Sequence, residues 1–177
     1  VETARAESAS PQNKPRRKLR VAMLSYSFYD QDARVSRYAE TLARRGDHVD
    51  VFALGQNGQE SFSKVNGVQV YRIQRRERNE KGRLAFLSRM FRFFLKSSLV
   101  LSKKDFEQSY DVVHVHSVPD SEVFAAWFSK MRGAKVILDI HDIVPEFYAA
   151  KFKTGKNSIL YRMLLLIEKL STAFSDH

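Results

Sequence analysis

Short runs of Val, Ile and Leu alternate with amphipathic segments along most of the chain, and this alternation restricts the fold more than any other feature. The predicted strands are Arg20 to Ser25, Val49 to Leu54, Val68 to Ile73, Asp111 to His116 and Lys135 to Ile140. Strands that are apolar along their length are typical of a parallel sheet covered by helices on both faces. The sequence therefore predicts an α/β fold with a Rossmann-like, doubly wound parallel sheet.

Helical periodicity fills the segments between these strands. In the first helix Val35, Tyr38, Ala39 and Leu42 share a face, after Asp32 as a candidate N-cap. The pair Asn66-Gly67 predicts a turn before the third strand. The other predicted helices are Arg83 to Leu101, Asp120 to Arg132 and a last one capped by Ser158 and running to Phe174.

Composition excludes several classes of protein. A chain of 177 residues is long enough for one α/β domain, and 44% apolar residues with 13 Phe supply its core. Because the chain has no cysteine, disulfides, thiolate metal sites and cysteine nucleophiles are excluded. No apolar run approaches the ~20 residues that cross a bilayer. We expect a cytoplasmic protein, with a peripheral position on the inner face of the cytoplasmic membrane as an option.

The basic excess is concentrated in two segments. Of the net charge of +10, residues 1–20 carry +4 and residues 72–104 carry +9, which leaves the remainder mildly acidic. The first segment is rich in Ser, Pro and charge, so we predict a disordered basic arm over residues 1–18 and a folded domain over 19–177.

The second basic segment predicts an amphipathic helix. Its apolar positions are Leu87, Met90, Phe91, Phe94 and Leu95, and Arg89, Arg92 and Lys96 lie on another face. Such a helix can bind an anionic membrane surface through these three cations. The alternative is a surface helix that packs its Phe residues into its own domain. Nucleic acid is not an expected partner, because the aromatic residues follow a core stripe and do not alternate as base-stacking platforms.

Polar segments follow three of the predicted strands, where doubly wound sheets bind ligands. They are Ser25 to Asp32, Ser117 to Asp120 and His141 to Glu146. The glycines are too scattered for G-x-G-x-x-G or a P-loop, which argues against a nicotinamide dehydrogenase and a P-loop NTPase. In the first segment the hydroxyls, Asp30, Asp32 and Arg34 suit a polyol or a phosphate.

His141 is the strongest catalytic candidate, because it follows a strand directly in the sequence LDIHDIVPE. An imidazole there can exchange a proton with a sugar hydroxyl near neutral pH, and Asp142 and Glu146 can position it or bind hydroxyls. His114 and His116, two apart on one strand face, could instead hold a divalent metal with His141 and Asp142. The alternative is a hydrogen-bonded core role for His114, and we predict no metal site.

Four motifs resemble the N-terminal domain of family 4 glycosyltransferases of the GT-B fold. They are RVAMLSYSFYDQDARVSRYAETLARRGDHVDVFAL, VNGVQVYRI, DVVHVHSVPD and GAKVILDIHDIVPEFYAAKF. The resemblance covers Lys18 to about Phe174. It implies retaining, metal-independent transfer of a sugar from a nucleotide-sugar, used as a substrate and with no other cofactor, to a lipid-linked or saccharide acceptor. Bacterial polysaccharide or glycolipid synthesis is the implied setting.

The resemblance also assigns roles to residues. Ser27 to Arg34 corresponds to the acceptor-side loop, His116 and Asp120 match the loop motif after the fourth strand, and His141 matches a histidine near the reacting centre. The first loop reads SYSFYDQD in place of the Gly-Gly pair of many members. No glutamate pair has the E-x7-E spacing of the donor-binding domain, so we expect a truncated, acceptor-side half that is inactive alone.

Two other functions remain open from the sequence. The chain can be a non-catalytic basic module that binds anionic membrane, or a metal-dependent hydrolase.

Overall fold

The computed structural model describes residues 17–76, 83–117, 119–140 and 159–177. Its strands are β1 (Arg20–Phe28), β2 (His48–Gly55), β3 (Phe62–Val65), β4 (Val68–Arg75), β5 (Val112–His116) and β6 (Lys135–Asp139). They form one six-stranded sheet in the order β3-β4-β2-β1-β5-β6. Only β3 runs antiparallel to its neighbour within the described ranges, so the predicted parallel sheet is confirmed.

Helices cover both faces of this sheet. They are α1 (Ala33–Arg44), α2 (Arg83–Glu107), α3 (Trp127–Met131) and α4 (Ile159–Phe174), with a 3₁₀ turn at Tyr29–Gln31 and a longer 3₁₀ segment at Asp120–Ala126. Successive residues of β1 point to opposite faces. Val21 and Met23 pack in one core with Val35 of α1. Ala22 and Leu24 pack in the other core, which includes Leu101 of α2 and is contacted by Phe174 of α4. The fold is therefore the doubly wound, Rossmann-like α/β arrangement that the sequence predicted.

Strand β3 was missed by the sequence analysis. It has four residues, all of them at least partly exposed, so it lacks the continuous apolar run that marked the other strands. Asn66 and Gly67 both have positive φ and join Val65 to its register partner Val68. A two-residue Asn-Gly loop of this kind favours a tight hairpin, and the predicted turn is confirmed.

The predicted helix from Asp120 to Arg132 was wrong in type. Its first part is a 3₁₀ segment, and α3 adds only five residues. Three residues per turn place Asp120, Val123 and Ala126 on one face, and all three are buried. Because the tighter winding changes the register, Trp127 and Met131 are exposed and leave the predicted apolar face.

Two further boundaries differ from the sequence analysis. Strand β1 continues to Phe28, so Ser27 belongs to the strand and not to the loop. Helix α2 continues to Glu107, well beyond Leu101. Both extensions lengthen the elements that carry the polar segments discussed next.

Candidate functional site

A cavity of about 470 Å³ lies over the carboxyl end of β1, where the sequence analysis placed the acceptor. Ser27, Asp32 and Arg34 all line it. Arg76, which directly follows β4, lines it as well and places its guanidinium 5.6 Å from the centre of the Tyr26 ring. The cavity therefore combines a hydroxyl, a carboxylate and two guanidinium groups, a set suited to a polyol or a phosphate.

Asp32 is fixed by the helix that follows it. Its Oδ1 accepts hydrogen bonds from the backbone amides of Arg34 (3.2 Å) and Val35 (3.3 Å), so the predicted N-cap is confirmed. Its Oδ2 accepts one from the Ser27 hydroxyl at 2.9 Å. Burial raises the pKa of the Asp32 carboxyl, but these hydrogen bonds outweigh burial and hold the pKa below its usual value. The group is therefore an anionic hydrogen-bond acceptor at neutral pH.

Polar side chains continue from this cavity across the ends of two more strands. The hydroxyls of Ser25 and Ser27 are 2.7 Å apart. Ser25 is the register partner of His116 on β5, and His116 is the register partner of Asp139 on β6. Because register partners in a parallel sheet project from the same face, this row of polar groups spans β1, β5 and β6.

His116 is buried beneath α1, and its ring stacks on Tyr38 with centroids 6.0 Å apart. Its Nδ1 lies 3.3 Å from Oδ2 of Asp139, while Nε2 of His114 lies 3.7 Å from the same oxygen. Ligand atoms of these three residues are all within 4.8 Å of one another, so the group is close enough to ligate one divalent ion. His141 and Asp142, which the sequence analysis added to this cluster, lie outside the described residues.

Two predicted acceptor residues are placed away from the cavity wall. The Asp30 carboxylate accepts hydrogen bonds from Gln59 (3.0 Å) and Arg72 (3.3 Å), which tie it to β4 and the loop before β3. The Asp120 carboxylate is buried and accepts a hydrogen bond from Ser117 at 2.6 Å, which orders the start of the 3₁₀ segment.

His141, Asp142 and Glu146 lie outside the described residues. Arg76, by contrast, is a cavity residue that the sequence analysis missed. It lies in a basic run and carries no local signal that separates it from Arg75; only the pairing of β4 with β2, and of β2 with β1, brings it beside Ser27.

The proposed membrane-surface residues differ in exposure. Arg92 and Lys96 are exposed, and the Lys96 ammonium donates to the carbonyl oxygen of Ile73 at 3.2 Å. Arg89 is only partly exposed, and its carbonyl oxygen accepts a hydrogen bond from Gln74. No helix among the described residues has the length and apolarity needed to cross a bilayer.

The apolar face predicted for α2 was only half right. Phe93, Ser97 and Leu101 are fully buried, and the predicted Phe94 packs against the core that contains Leu101. Four apolar residues spaced by four point outward, with exposed fractions of 58% at Leu87, 62% at Phe91, 45% at Leu95 and 71% at Leu99. We call these four residues the apolar stripe. Arg92 and Lys96 border it.

Comparison with known proteins identifies the family. A model for the glycosyl transferase 4-like domain matches residues 31–177. This chain belongs to that family. The resemblance seen in its motifs is thereby confirmed, and the chain is a glycosyltransferase-family domain with the Rossmann-like fold of GT-B enzymes. No curated protein matches the chain in sequence.

Solved structures agree on the fold of this glycosyl transferase 4-like domain. Sucrose-phosphate synthase from Thermosynechococcus elongatus matches with a TM-score of 0.62 and 15% identity, over 87% of this chain and 40% of that one. A second structure of that enzyme matches with a TM-score of 0.50 and 17% identity, over 70% of this chain and 64% of that one. The chain thus spans about 40% of the first matched structure, and at these identities the similarity is one of fold.

Proposed function

We propose that this domain is the acceptor-binding half of a retaining glycosyltransferase. The enzyme moves a sugar, of the hexosyl type, from a nucleotide-sugar to a lipid-linked or saccharide acceptor, in the synthesis of a bacterial polysaccharide or glycolipid. The observation that carries the proposal is the cavity at the end of β1, because its hydroxyl, carboxylate and guanidinium groups suit hydroxyls and phosphate and the chain belongs to the glycosyl transferase 4-like family. The nucleotide-sugar is a substrate, and we propose no resident metal or organic cofactor.

Each cavity residue has a proposed task. The anionic Asp32 accepts a hydrogen bond from an acceptor hydroxyl, and the Ser27 hydroxyl, held 2.9 Å from it, completes the polar wall. Arg34 and Arg76 bind negative charge, either on a phosphate of the acceptor or on the departing diphosphate. Preorganised groups of this kind stabilise the charge that develops during transfer.

The other predicted residues also have proposed roles. We propose His141 as the proton donor or acceptor near the reacting centre, with Asp142 and Glu146 binding acceptor hydroxyls. His116 and Asp120 support the same edge of the sheet from β5 and the 3₁₀ segment, and Asp30 does so from its contacts with Gln59 and Arg72.

The test is a transfer assay on a two-domain enzyme. The 177 residues alone are expected to transfer no sugar, because we propose that the donor is held by a second domain. Joined in frame to a donor-binding domain of the same family, the chain is expected to release nucleoside diphosphate from one member of a nucleotide-sugar panel, and NMR of the product is expected to show a retained anomeric configuration. A folded fusion that fails with the whole panel contradicts the proposal.

Adjacent arginines supply a matched control for the cavity. Arg76→Ala in the fusion removes a guanidinium from the cavity and is expected to raise the acceptor KM about tenfold or more, since a charged hydrogen bond contributes about 1.5–3 kcal/mol. Arg75→Ala makes the same chemical change at an exposed position outside the cavity wall and is expected to leave the KM unchanged. Equal effects of the two substitutions argue against an acceptor role for this cavity.

A second function is favoured by the surface of α2. We propose that the apolar stripe and the bordering cations dock the domain on the inner face of the cytoplasmic membrane. Exposed Leu and Phe side chains enter the headgroup boundary, while Arg92 and Lys96 meet lipid phosphate. Docking of this kind places the acceptor cavity near a lipid-linked acceptor, so it complements the transferase and equally fits a non-catalytic membrane-binding module.

A further inference from the structure

A second cavity, of about 340 Å³, lies between the first half of α2 and the 3₁₀ segment. The residues that line it are Leu87, Met90, Phe91, Phe94, Pro119, Ser121, Glu122 and Phe124. The 3₁₀ segment comes after β5 and α2 comes after β4, so both walls begin near the carboxyl edge of the sheet. We call this cavity the apolar pocket, because most of its wall is hydrocarbon.

The apolar pocket shares residues with the apolar stripe, and the helix that forms one of its walls also contacts the wall of the acceptor cavity. Leu87 and Phe91 line the pocket and also belong to the apolar stripe. On the other side, the Tyr26 ring lines the acceptor cavity and lies edge-on to Phe93 of α2, with centroids 5.1 Å apart. The stripe and the pocket therefore form one apolar surface, and Phe93, the neighbour of the pocket residue Phe94, packs on the wall of the acceptor cavity.

The pocket contains one titratable group, Glu122, among its lining residues. Its side chain is 1% exposed. Burial raises the pKa of this carboxyl to about 8, although Ser97 beside it lowers the value. The Ser97 hydroxyl donates a hydrogen bond to the Phe93 carbonyl oxygen at 2.8 Å. The raised pKa favours the neutral acid, and the other lining residues carry no charge, so the wall suits an apolar occupant and not a phosphate.

We infer that the apolar pocket holds the hydrocarbon chain of a lipid-linked acceptor, while the polar head of that acceptor occupies the cavity of Ser27, Asp32, Arg34 and Arg76. The occupant comes from the membrane, because the stripe at the mouth of the pocket is bordered by the cations Arg92 and Lys96, which complement an anionic lipid surface. The inference rests on the proposed transferase function and selects its lipid-linked acceptor over a free saccharide.

Methionine methyl NMR of the full 177-residue chain tests the pocket directly. The chain has four methionines, and Met90 is the one that lines the pocket. Met131 and Met163 are exposed elsewhere and Met23 is buried in the α1-side core, so they report on nonspecific binding and folding. Titration with 1-butanol, 1-hexanol and 1-octanol is expected to shift the Met90 signal with an affinity that rises about fourfold per buried methylene.

Substitutions locate the response. Ser121→Phe fills the pocket and is expected to abolish the Met90 shift while the Met23 signal stays in place. Leu87→Ala is expected to weaken octanol binding severalfold, whereas Leu99→Ala, an exposed leucine of the same helix outside the pocket wall, is not. Equal shifts at Met90, Met131 and Met163, or none at Met90, overturn the inference.

The result is separable from the fate of the transferase proposal. If the fusion enzyme transfers sugar to a free saccharide and Met90 does not respond to alkanols, the chain-binding pocket is contradicted and the transferase proposal is not. If Met90 responds in a chain-length-dependent way but the folded fusion is inactive, the transferase proposal is contradicted and the hydrocarbon-binding pocket is supported.

Discussion

Asp50 lies on β2 and is fully buried. Its two hydrogen-bond partners, Arg20 and Tyr110, are far from it along the chain. Its Oδ2 accepts hydrogen bonds from the Arg20 guanidinium at 3.1 Å and from the Tyr110 hydroxyl at 2.5 Å. Burial, followed by the charge of Asp50, raises the pKa of Tyr110, so the phenol keeps its proton and remains a donor. A buried carboxylate is tolerated here because Arg20 and Tyr110 both bind its Oδ2, while His48 Nε2 lies 3.2 Å from its Oδ1.

Removing the Tyr110 hydroxyl tests this contact. Tyr110→Phe is expected to lower the free energy of unfolding by about 2 kcal/mol, because a hydrogen bond to a buried charge is lost. The Arg20 guanidinium lies 4.1 Å from the ring centre, a contact that Phe retains, so the variant isolates the hydroxyl. Urea denaturation measures the difference. Tyr71→Phe, which loses a bond to the neutral Gln69, is the control and should cost less; equal costs contradict the explanation.

The raised pKa of Glu122 predicts that the stability of the fold depends on pH. Its pKa is about 8 when folded against 4.5 for an ordinary glutamate, so the folded state holds the proton more tightly. The stabilisation is complete below pH 4.5 and is lost as the pH rises from there through 8, with a slope on the order of 1 kcal/mol per pH unit. Glu122→Gln is expected to remove this slope in melting experiments between pH 5 and 8. The exposed Glu60→Gln should retain it, and a slope that persists in Glu122→Gln rules out Glu122 as the cause.

At the scale of the element, α2 illustrates why periodicity alone misplaces a face. Residues four apart advance by about 40° on a helix, so the apolar stripe winds across an arc of about 120°. Both the stripe and the buried row of Phe93 and Leu101 have helical spacing. The sequence pattern does not show which of these two rows faces the core, because that depends on how the helix packs against the sheet.

Vesicle binding tests the outward face of α2. The 177-residue chain is expected to sediment with vesicles of phosphatidylcholine and phosphatidylglycerol, and less so as salt rises. Replacing both Arg92 and Lys96 with Gln is expected to weaken binding about 30-fold, since each cation near the surface contributes about 1 kcal/mol. Arg37→Gln with Arg44→Gln makes the same charge change at exposed positions of α1, on the opposite face, and should change binding little. Equal losses indicate a nonspecific charge effect.

At the scale of the whole molecule, the parallel sheet and its two helical layers were predictable. Val21 and Met23 of β1 pack in one core, and the alternating Ala22 and Leu24 pack in the other. A strand that contributes to two cores must lie between two helical layers. Strand β3 and the 3₁₀ segment were not predictable. The first is short and half-exposed, and the second differs from an α-helix by a fraction of a residue per turn, which a few side chains do not resolve.

The residues of the candidate site also differ in whether the sequence predicted that they belong to it. Ser27, Asp32 and Arg34 follow one another closely in the chain, so the sequence already placed them together; they line one cavity, and acceptor binding there stays a prediction. Arg76 and Asp139 come from other strands, and the sequence analysis assigned neither to the site. Their positions depend on strand order, which places β2 between β1 and β4 and places β5 between β1 and β6.

The sequence by itself determined the class of fold, the edge of the sheet at which we predict ligand binding and the family motifs, because alternation and periodicity are properties of neighbouring residues. Only the tertiary structure decided which distant residues meet: Arg76 at the cavity lined by Ser27 and Asp32, Asp139 beside His116, and the apolar stripe turned outward from α2. These placements follow from the order in which strands pair and from which helix face the sheet buries, and both are set by contacts between segments far apart in the chain.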